Sequence, residues 1–432
     1  MSDYVDSYYR DSRRISLAPT PPLGGARRVD VAVVGGGVTG CSAALNLAER
    51  GYSVALVEAN RIGWGASGRS GGQILTGFGT GMSTFADALG TDSARQIFEM
   101  SREAVALTVD RIRRHDIDCD LRDGAIYAAL KPRHMKALAA EQEHMRRVYG
   151  YEGLTLLDRD ALAERVRCPA YIGGLYDAES WHLHPLNYVL GLARAAQAAG
   201  ATLYEESPVE RIAHGEPATV HTRDGELTAD YVVLGGNAYL AADVAPELAG
   251  HLMPVGNYII ATEALSDRQV AETLPSDDAV SDANFVLDYY QLSAAPASAH
   301  GPRLLYGGQV SYGKRAPKRL NERMQAKLGR LFPALEGIGI DYSWGGLVGV
   351  TRNRAPHFGR IGPNVFYAQG YSGHGMAFAG LAGKLIGEAV AGQAERFDLY
   401  TRVSHRRFPG GARLRTPLLV LATNFYRMRD RV

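Results

Sequence analysis

Hydrophobic residues near the start of the chain follow two patterns in succession, first that of a buried strand and then that of a helix. Residues 29–34 form a nearly continuous apolar run rich in β-branched side chains, which is typical of a strand in a buried parallel sheet. Residues 39–50 carry Ala and Leu at helical spacing, and residues 53–57 form a second apolar run. The order strand, helix, strand predicts a parallel unit of an α/β fold.

A glycine-rich turn, G-G-G-V-T-G, connects the first predicted strand to the helix. Gly35 suits the tight turn, Gly37 lets the backbone approach a pyrophosphate, and Gly40 lets the helix pack closely on the strand. Val38 and Thr39 then begin the helix, whose N-terminus faces the phosphates. The turn therefore predicts a dinucleotide site.

Two further features agree with a long cofactor. Glu58 ends the second strand about 20 residues after the turn, where an acidic side chain accepts hydrogen bonds from an adenosine ribose. Residues 63–73 are poor in large side chains and cannot form a core of their own. A cofactor lying along them fits this composition, and a flexible surface loop is the alternative. Because only one GxGxxG lies directly between a predicted strand and a predicted helix, we expect no NAD(P)H site, which favours an oxidase or dehydrogenase over a monooxygenase.

Similar patterns predict elements along the rest of the chain. Helical spacing of apolar residues predicts helices at 93–115, 132–149, 187–199 and 377–391. Apolar runs rich in β-branched and aromatic residues predict strands at 121–130, 202–205, 209–212, 218–222, 230–234, 254–263, 285–293, 303–312 and 365–369. Buried strands that end in glycine return late in the chain, so the nucleotide domain is expected to be discontinuous.

These elements predict a Rossmann-like α/β domain assembled from separate segments and an α+β substrate domain with a mixed sheet. The expected segments are an extended arm (1–28), the nucleotide domain (29–86, 171–250 and 346–395), the helical part (87–170) and sheet (251–345) of the substrate domain, and a tail (396–432). The arm could also pack on the body through Tyr8 and Tyr9.

Composition narrows the function classes. With 432 residues and 46% hydrophobic residues, the chain can bury a large core, and a net charge of +1 gives no support for nucleic-acid binding. Cys41, Cys119 and Cys168 lack CxxC spacing and are expected to be small buried residues in a reducing compartment. His182 and His184 have no acidic or cysteine partner in metal-ligand spacing, so we expect no metal.

The sequence also gives expectations about location. No apolar run approaches the ~20 residues of a membrane span, and the N-terminus has no apolar core segment of a signal peptide. We therefore expect a cytoplasmic protein. The tail at 416–432 is amphipathic and basic, and docking of this tail on the protein itself or on a sister subunit is favoured over peripheral membrane contact. The oligomeric state is left open.

The motifs together resemble the D-amino acid oxidase and sarcosine oxidase family of FAD oxidoreductases. The resemblance rests on the GxGxxG turn, the GASGRSGGQ stretch at 65–73, the strand that ends in Gly235 and Gly236, and GYSGHGM at 370–376. Within this family, a closer resemblance is to enzymes that oxidise gamma-glutamylated putrescine. It is carried by SYY at 7–9, RIGWGASGR at 61–69, HLHPLN at 182–187, DYY at 288–290 and FPGG at 408–411.

The resemblance implies an FAD enzyme that oxidises an amine C–N bond to an imine, with oxygen reoxidising the flavin and yielding hydrogen peroxide. Some members tether FAD through a cysteine before the final strand, but this chain has WGGLVGV at 344–350, so we expect non-covalent FAD. The residues expected to bind the cofactor are Gly35, Gly37, Val38, Thr39, Gly40, Glu58, Ala59, Arg61, Ala66, Ser67, Gly68, Arg69, Gly71, Gly72, Gln73, Val209, Gly236, Gly373, His374, Gly375 and Met376.

Candidate catalytic residues come from the second half of the chain. His374, at the start of the last helix, is either a site residue or a hydrogen-bonding cap. Aromatic walls could attract an amine cation, although a tyrosine in a strand usually only packs; the candidates are Tyr258, Tyr289, Tyr290, Tyr312 and Trp344. Arg352, with Arg354, could clamp a substrate carboxylate, and a surface ion pair is the alternative.

The resemblance implies a small amine as substrate, most specifically a gamma-glutamylated diamine such as gamma-glutamylputrescine or a related intermediate of polyamine catabolism. An additional segment at 294–302 and the pair Asn257 and Tyr258 depart from the pattern expected of such an enzyme, which affects substrate identity. Two alternatives remain. One is a dehydrogenase or oxidase of a secondary or D-amino acid, such as sarcosine or pipecolate, that passes electrons to quinone. The other is a non-catalytic FAD-binding module.

Overall fold

Two β-sheets organise the chain. The computed structural model describes residues 3–284, 286–294, 301–311 and 317–409. The strands in this part are β1 (Gly25–Val34), β2 (Val54–Val57), β3 (Gln73–Ile74), β4 (Arg122–Ala129), β5 (Leu154–Leu157), β6 (Gly173–His182), β7 (Thr202–Tyr204), β8 (Val209–Ala213), β9 (Ala218–Thr222), β10 (Gly225–Leu234), β11 (Met253–Thr262), β12 (Ala279–Asp282), β13 (Tyr289–Leu292), β14 (Leu304–Ser311), β15 (Ile340–Val350), β16 (His357–Ile361) and β17 (Val365–Gln369).

Helices cover the two sheets. The α-helices are α1 (Tyr8–Asp11), α2 (Val38–Glu49), α3 (Ser83–Leu89), α4 (Thr91–Arg114), α5 (Pro132–Tyr149), α6 (Arg159–Ala163), α7 (Pro185–Ala198), α8 (Asp267–Ala271), α9 (Leu320–Leu331), α10 (Gly375–Val390) and α11 (Glu395–Thr401). Short 3₁₀ turns occur at Ala66–Gly68, Asn237–Tyr239 and Pro333–Leu335. No helix in the described ranges is long and apolar enough to cross a membrane.

The first sheet has the strand order β16-β17-β10-β1-β2-β7, with β8 and β9 attached beside β10. The pairs of β1 with β2 and β10, of β2 with β7 and of β10 with β17 are parallel. Every residue of β2 and β17 is buried, and helices α2 and α10 pack directly on the sheet. The predicted Rossmann-like α/β domain is therefore confirmed in its architecture.

The second sheet has the order β15-β11-β14-β13-β12-β4-β6-β3, with β5 beside β6. Its strands pair antiparallel except for β12 and β4, which run parallel, so the predicted mixed sheet is confirmed. One face packs against the first domain and the other against α9. Strands β3 and β6 belong to this sheet although they come from segments 29–86 and 171–250, and the seven-segment division of the chain stays a prediction.

Several elements were not predicted, among them β6, β15, β16 and α9. Strand β6 is polar because Asp177, which is 1% exposed, accepts buried hydrogen bonds from Tyr151, Thr76 and Ser180. Strand β15 is rich in glycine, a residue that is depleted in β-strands, so its sequence does not indicate a strand. In β15 the missing side chain has a use, since a Cβ on Gly345 would lie 2.8 Å from the Tyr258 ring.

Some predicted features lie outside the described residues. These are Phe285 at the start of one predicted strand, Tyr312 at the end of another, most of the additional segment at 294–302, and the tail at 416–432. The arm is described from residue 3, and Tyr8 and Tyr9 are 6% and 1% exposed. The expected packing of the arm through these two tyrosines is confirmed.

Candidate functional site

A cavity of about 340 Å³ lies at the carboxyl ends of β1, β2 and β10, where ligands of open α/β sheets bind. Its volume falls within the ~300–1,000 Å³ that is usual for ligand pockets. The predicted cofactor residues that line it are Gly35, Gly37, Val38, Thr39, Glu58, Ala59, Ala66, Ser67, Val209, Gly236, Gly373, Gly375 and Met376. The structure thus brings together residues that are distributed along the sequence from Gly35 to Met376.

The glycines of the first turn are fixed by close contacts. Gly35 has a φ of +107°, which side chains other than glycine rarely adopt. A Cβ on Gly37 would lie 2.9 Å from the Ser67 hydroxyl, and one on Gly40 would lie 1.9 Å from the Gly35 carbonyl oxygen. Gly40 does not line the cavity, so its place in the motif is explained by the packing of α2 on the turn.

Two helices direct their N-termini at the cavity. Helix α2 begins after Gly37 and helix α10 after His374, and neither of these two residues caps its helix with a side-chain hydrogen bond. The Val38 N–H donates to the Ser67 hydroxyl at 3.0 Å. This hydrogen bond holds the second glycine stretch, residues 61–73, beside the glycine-rich turn at 35–40. The other N–H groups of these first turns and the positive ends of both helix dipoles suit a ligand with separated anionic groups.

Glu58 ends β2 at the cavity wall. Its two carboxylate oxygens accept the backbone N–H of Gly36 at 2.7 Å and of Asn60 at 2.9 Å. Burial raises the pKa of the Glu58 carboxyl, and the two backbone donors oppose that shift. A carboxylate oriented in this way retains lone pairs that can accept ribose hydroxyls.

The turn before α10 is joined to the rest of the cavity by hydrogen bonds that were not predicted from the sequence. The hydroxyls of Thr39 and Tyr371 lie 2.8 Å apart, and the Asn237 side chain accepts the Gly370 N–H at 3.0 Å. The Tyr239 hydroxyl accepts an N–H from β15 at 2.8 Å. Asn237 and Tyr239 come just after the carboxyl end of the buried parallel strand β10. Ligands bind at this end of such strands, so their position in the sequence could have identified them as site residues.

Other predicted cofactor residues do not line the cavity. Arg61 instead forms an ion pair with Glu205 at 2.9 Å. Three glycines of the second stretch make close packing contacts that leave no room for a side chain. A Cβ on Gly68 would lie 2.2 Å from the Gly63 carbonyl oxygen, one on Gly71 would lie 2.7 Å from the Tyr289 ring, and one on Gly72 would lie 2.1 Å from the Leu183 carbonyl oxygen. Gln73 bonds across to β12, its amide nitrogen lying 3.4 Å from the Val280 oxygen.

Arg69 lies behind the cavity wall rather than in it. Its guanidinium stacks over the Trp64 ring at 4.0 Å, and Nε and Nη1 donate to the backbone oxygens of Trp64 and Gly345 at 2.5 and 3.3 Å. Burial lowers the pKa of Arg69, and its shielded Nη2 has no hydrogen-bond partner within the described ranges. The second glycine stretch is therefore anchored by an arginine with one unused donor.

The candidate aromatic walls fall on opposite faces of the second sheet. Tyr289 and Trp344 face the first domain, where Tyr289 contacts Gly71 and the Trp344 indole N–H donates to the Arg69 oxygen at 2.9 Å. Tyr258 and Tyr290 pack on the far face against the core around α9. Adjacent strand residues point to opposite faces, so the structure does not bring Tyr258 or Tyr290 to the cavity side.

The remaining candidates differ in their surroundings. Burial lowers the pKa of His374 to about 4, so its imidazole is neutral at neutral pH. The shielded His374 Nδ1 has no hydrogen-bond partner in the described part of the chain, although the ring itself does not line the cavity. Arg352 lies exposed in the turn after β15 and is not brought to the cavity. Among the described residues, no three His, Cys, Asp or Glu side chains could hold a metal ion.

Comparison with known proteins identifies the family. The model of the family "DAO: FAD dependent oxidoreductase" matches residues 30–389. The chain is 42% identical over 432 residues to gamma-glutamylputrescine oxidoreductase of Escherichia coli K12, covering 100% of both chains. It is 37% identical to the probable oxidoreductase OrdL of Haemophilus influenzae, covering 99% of this chain and 98% of that protein. The crystal structure of glycine oxidase from Geobacillus kaustophilus matches with a TM-score of 0.71 at 25% identity, covering 86% and 97% of the two chains.

The cavity fits the cofactor of this family. Its first glycine turn, the two helix N-termini and the Glu58 carboxylate suit the phosphates, flavin edge and ribose of a dinucleotide. The predicted cofactor, FAD, and the family resemblance stated from the motifs are confirmed. The chain belongs to the DAO family of FAD-dependent oxidoreductases.

Proposed function

We propose that this FAD-dependent oxidoreductase oxidises the primary amine of a gamma-glutamylated diamine, with gamma-glutamylputrescine as the substrate. The observation that carries the proposal is the 42% identity to the Escherichia coli gamma-glutamylputrescine oxidoreductase, which extends over the whole of both chains. Tyr289 and Trp344 lie beside the second glycine stretch, on the face of the second sheet that packs against the first domain. This aromatic pair supports an amine substrate, because aromatic faces attract ammonium groups before deprotonation.

Bound FAD supplies the acceptor for the hydride that leaves the amine carbon. The role of the protein side chains is to hold the substrate in place and to exclude water. Trp344 is 4% exposed, and the Tyr289 hydroxyl donates to the Asn257 side chain at 2.6 Å, so both rings are held rigidly. Burial raises the pKa of Tyr289, so this hydroxyl stays protonated and acts by position rather than as a base.

His374 is the candidate for proton handling near the α10 N-terminus. A neutral imidazole with an unused Nδ1 can accept or donate one hydrogen bond, depending on the tautomer. In the proposed reaction the amine reacts as the neutral form, so a proton must leave the ammonium before the C–H bond breaks. Loss of the hydride from the neutral amine gives a protonated imine, and water converts this cation to an aldehyde and an ammonium ion.

Oxygen is the proposed electron acceptor, so that each turnover yields one hydrogen peroxide. We also propose that FAD is held without a covalent bond, and acid precipitation should release it into the supernatant. The free, buried cysteines at 41, 119 and 168 support action in the reducing cytoplasm.

Oxygen uptake tests this proposal. The purified holoprotein is assayed with gamma-glutamylputrescine, putrescine, sarcosine, pipecolate and D-amino acids, and ammonia and hydrogen peroxide are measured in the same samples. The proposal expects the highest kcat/KM for gamma-glutamylputrescine, with one peroxide and one ammonia per oxygen consumed. A preference for an amino acid would contradict the proposed substrate, and turnover only with a quinone analogue would contradict the proposed acceptor.

A further inference from the structure

The N-terminal arm, residues 3–15, lies outside the segment that the family model matches, which begins at residue 30. Within the arm, Tyr8, Tyr9 and Ile15 are 6%, 1% and 4% exposed. Helix α1 has only four residues, too few to be stable without tertiary contacts. The contacts of the arm with the rest of the protein therefore determine its position, and some of these contacts reach the second glycine stretch, residues 61–73, directly or through Trp344.

The start of the arm is tied to the start of this stretch. The Tyr4 hydroxyl donates to the Ile62 carbonyl oxygen at 2.8 Å. The Trp64 indole N–H donates to the Asp3 carbonyl oxygen at 3.2 Å. Trp64 also carries the Arg69 guanidinium on its ring and lines the cavity, so these two bonds fix a wall of the cofactor site.

The middle of the arm supports the later half of the stretch through Trp344. The Tyr9 ring packs edge-on against the Trp344 ring, with centroids 5.2 Å apart and planes at 70°. Trp344 in turn donates its indole N–H to the Arg69 carbonyl oxygen at 2.9 Å. The Tyr9 hydroxyl has no hydrogen-bond partner in the described part of the chain, so the ring alone provides this support.

The end of the arm is fastened to helix α7. His184 accepts the Asn187 N–H at Nδ1 (3.1 Å), so its neutral ring carries the proton at Nε2 and donates it to the Ser12 hydroxyl at 3.0 Å. That hydroxyl donates to the Tyr8 carbonyl oxygen at 2.6 Å. The Arg14 side chain adds ion pairs to Asp118 and Asp120 at 2.7 and 2.6 Å.

We propose that the arm holds residues 61–73 in the conformation that encloses FAD, with Tyr9 as the positioning residue. This inference rests on the FAD site of the family and is independent of the proposed amine substrate. The arm does not line the cavity, so it acts through Trp64, Trp344 and the backbone of Arg69. Because coupling is reciprocal, FAD binding must also stabilise the arm against local opening.

Three full-length variants test the proposal through FAD affinity rather than turnover. Tyr9→Leu removes the ring that supports Trp344, and we expect the Kd for FAD, measured by titration of the apoprotein, to rise about tenfold. Tyr9→Phe keeps the ring and loses a hydroxyl that has no partner, so FAD affinity should be retained. Arg10→Gln is the matched control, because its ion pairs to Asp6 and Asp11 lie within the arm.

A second measurement remains informative if Tyr9→Leu folds poorly. Tyr4→Phe removes only the hydroxyl that bonds Ile62, and it should raise the Kd for FAD by about threefold, within the usual range of one hydrogen bond. In the wild type, hydrogen exchange of the α1 amides should slow when FAD is added. Either of two results would overturn the proposal: an unchanged Kd for FAD in both Tyr9→Leu and Tyr4→Phe, or hydrogen exchange of the α1 amides at the same rate with and without FAD.

Discussion

The hydroxyl oxygens of Thr39 and Tyr371 lie 2.8 Å apart in the buried interior. Thr39 belongs to the first turn of α2, and Tyr371 lies in the turn that leads into α10. This hydrogen bond therefore joins the two helix N-termini that are directed at the cavity. The residues are 332 positions apart in sequence, so the bond also closes the discontinuous domain around its cofactor.

We expect Tyr371→Phe to weaken FAD binding, because the two helix N-termini lose their direct connection. The loss should be about fivefold in Kd, the equivalent of about 1 kcal/mol for one buried hydrogen bond. Tyr367→Phe is the matched control: its hydroxyl bonds His357 at 2.9 Å on a neighbouring strand away from the α2 contact. Equal FAD affinities for the two variants in titrations of the apoprotein would contradict this prediction.

Gly40→Ala should disturb the fold of the first turn. The added Cβ would meet the Gly35 carbonyl oxygen at 1.9 Å, which backbone cannot accommodate without moving α2. We expect a stability loss of about 1–3 kcal/mol, measured by denaturant unfolding of the apoprotein, together with weaker FAD binding.

Gly380→Ala is the control for that variant, since Gly380 also lies in a helix and its Cβ would meet nothing closer than 3.5 Å. It should be neutral, or more stable by up to about 1 kcal/mol, because alanine favours helix. If Gly40→Ala unfolds like Gly380→Ala, the contact with Gly35 does not restrict this position.

The two faces of β13 give a prediction about catalysis. Tyr289→Phe loses the hydrogen bond to Asn257 at 2.6 Å, and we expect kcat/KM for gamma-glutamylputrescine to fall about fivefold. Tyr290→Phe loses only a 3.3 Å contact with Tyr171 in the far-face core, so kcat/KM should stay within about twofold of the wild type. The reverse order of the two effects would place the substrate on the other face of the sheet.

His184 should make stability depend on pH. Burial lowers the pKa of His184 to about 3 in the folded protein, against about 6.5 for an unfolded histidine. The unfolded state therefore binds the proton first as pH falls. The contribution of neutral His184 is complete above pH ~6.5 and is lost between pH ~6.5 and the folded pKa.

His184→Asn isolates this effect, because asparagine can also cap α7 but does not titrate. The stability difference between wild type and variant should shift by roughly 2 kcal/mol against the wild type between pH 8 and pH 5. Urea unfolding at the two pH values measures it. A constant difference would mean that His184 is not held neutral by the fold.

The glycine turn, the helix after it and the acid at the end of β2 were predictable, because each depends on local spacing. The same holds for α5, whose bounds Pro132–Tyr149 agree with its apolar pattern and its proline start. These features need no knowledge of what packs against them. The cofactor site could therefore be located from the sequence before the structure was known.

The parts that could not be predicted depend on tertiary pairing. Tyr289 and Tyr290 are identical neighbours, and only the register of β13 with β14 decides which one faces the first domain. Arg61 is adjacent to the site in sequence, yet its pairing with Glu205, which comes from the end of β7, takes it away from the cavity. The supporting contact of Tyr9 with Trp344 joins residues that are far apart in the sequence, which no local pattern reveals.

Anaerobic reduction of the bound flavin tests the central claim most directly. The holoprotein is mixed without oxygen with gamma-glutamylputrescine, and the absorbance band of oxidised flavin is followed before and after air is admitted. We predict rapid loss of the band with gamma-glutamylputrescine, much slower loss with putrescine, and recovery in air. A band that no amine diminishes would contradict the claim that this protein is an amine-oxidising enzyme.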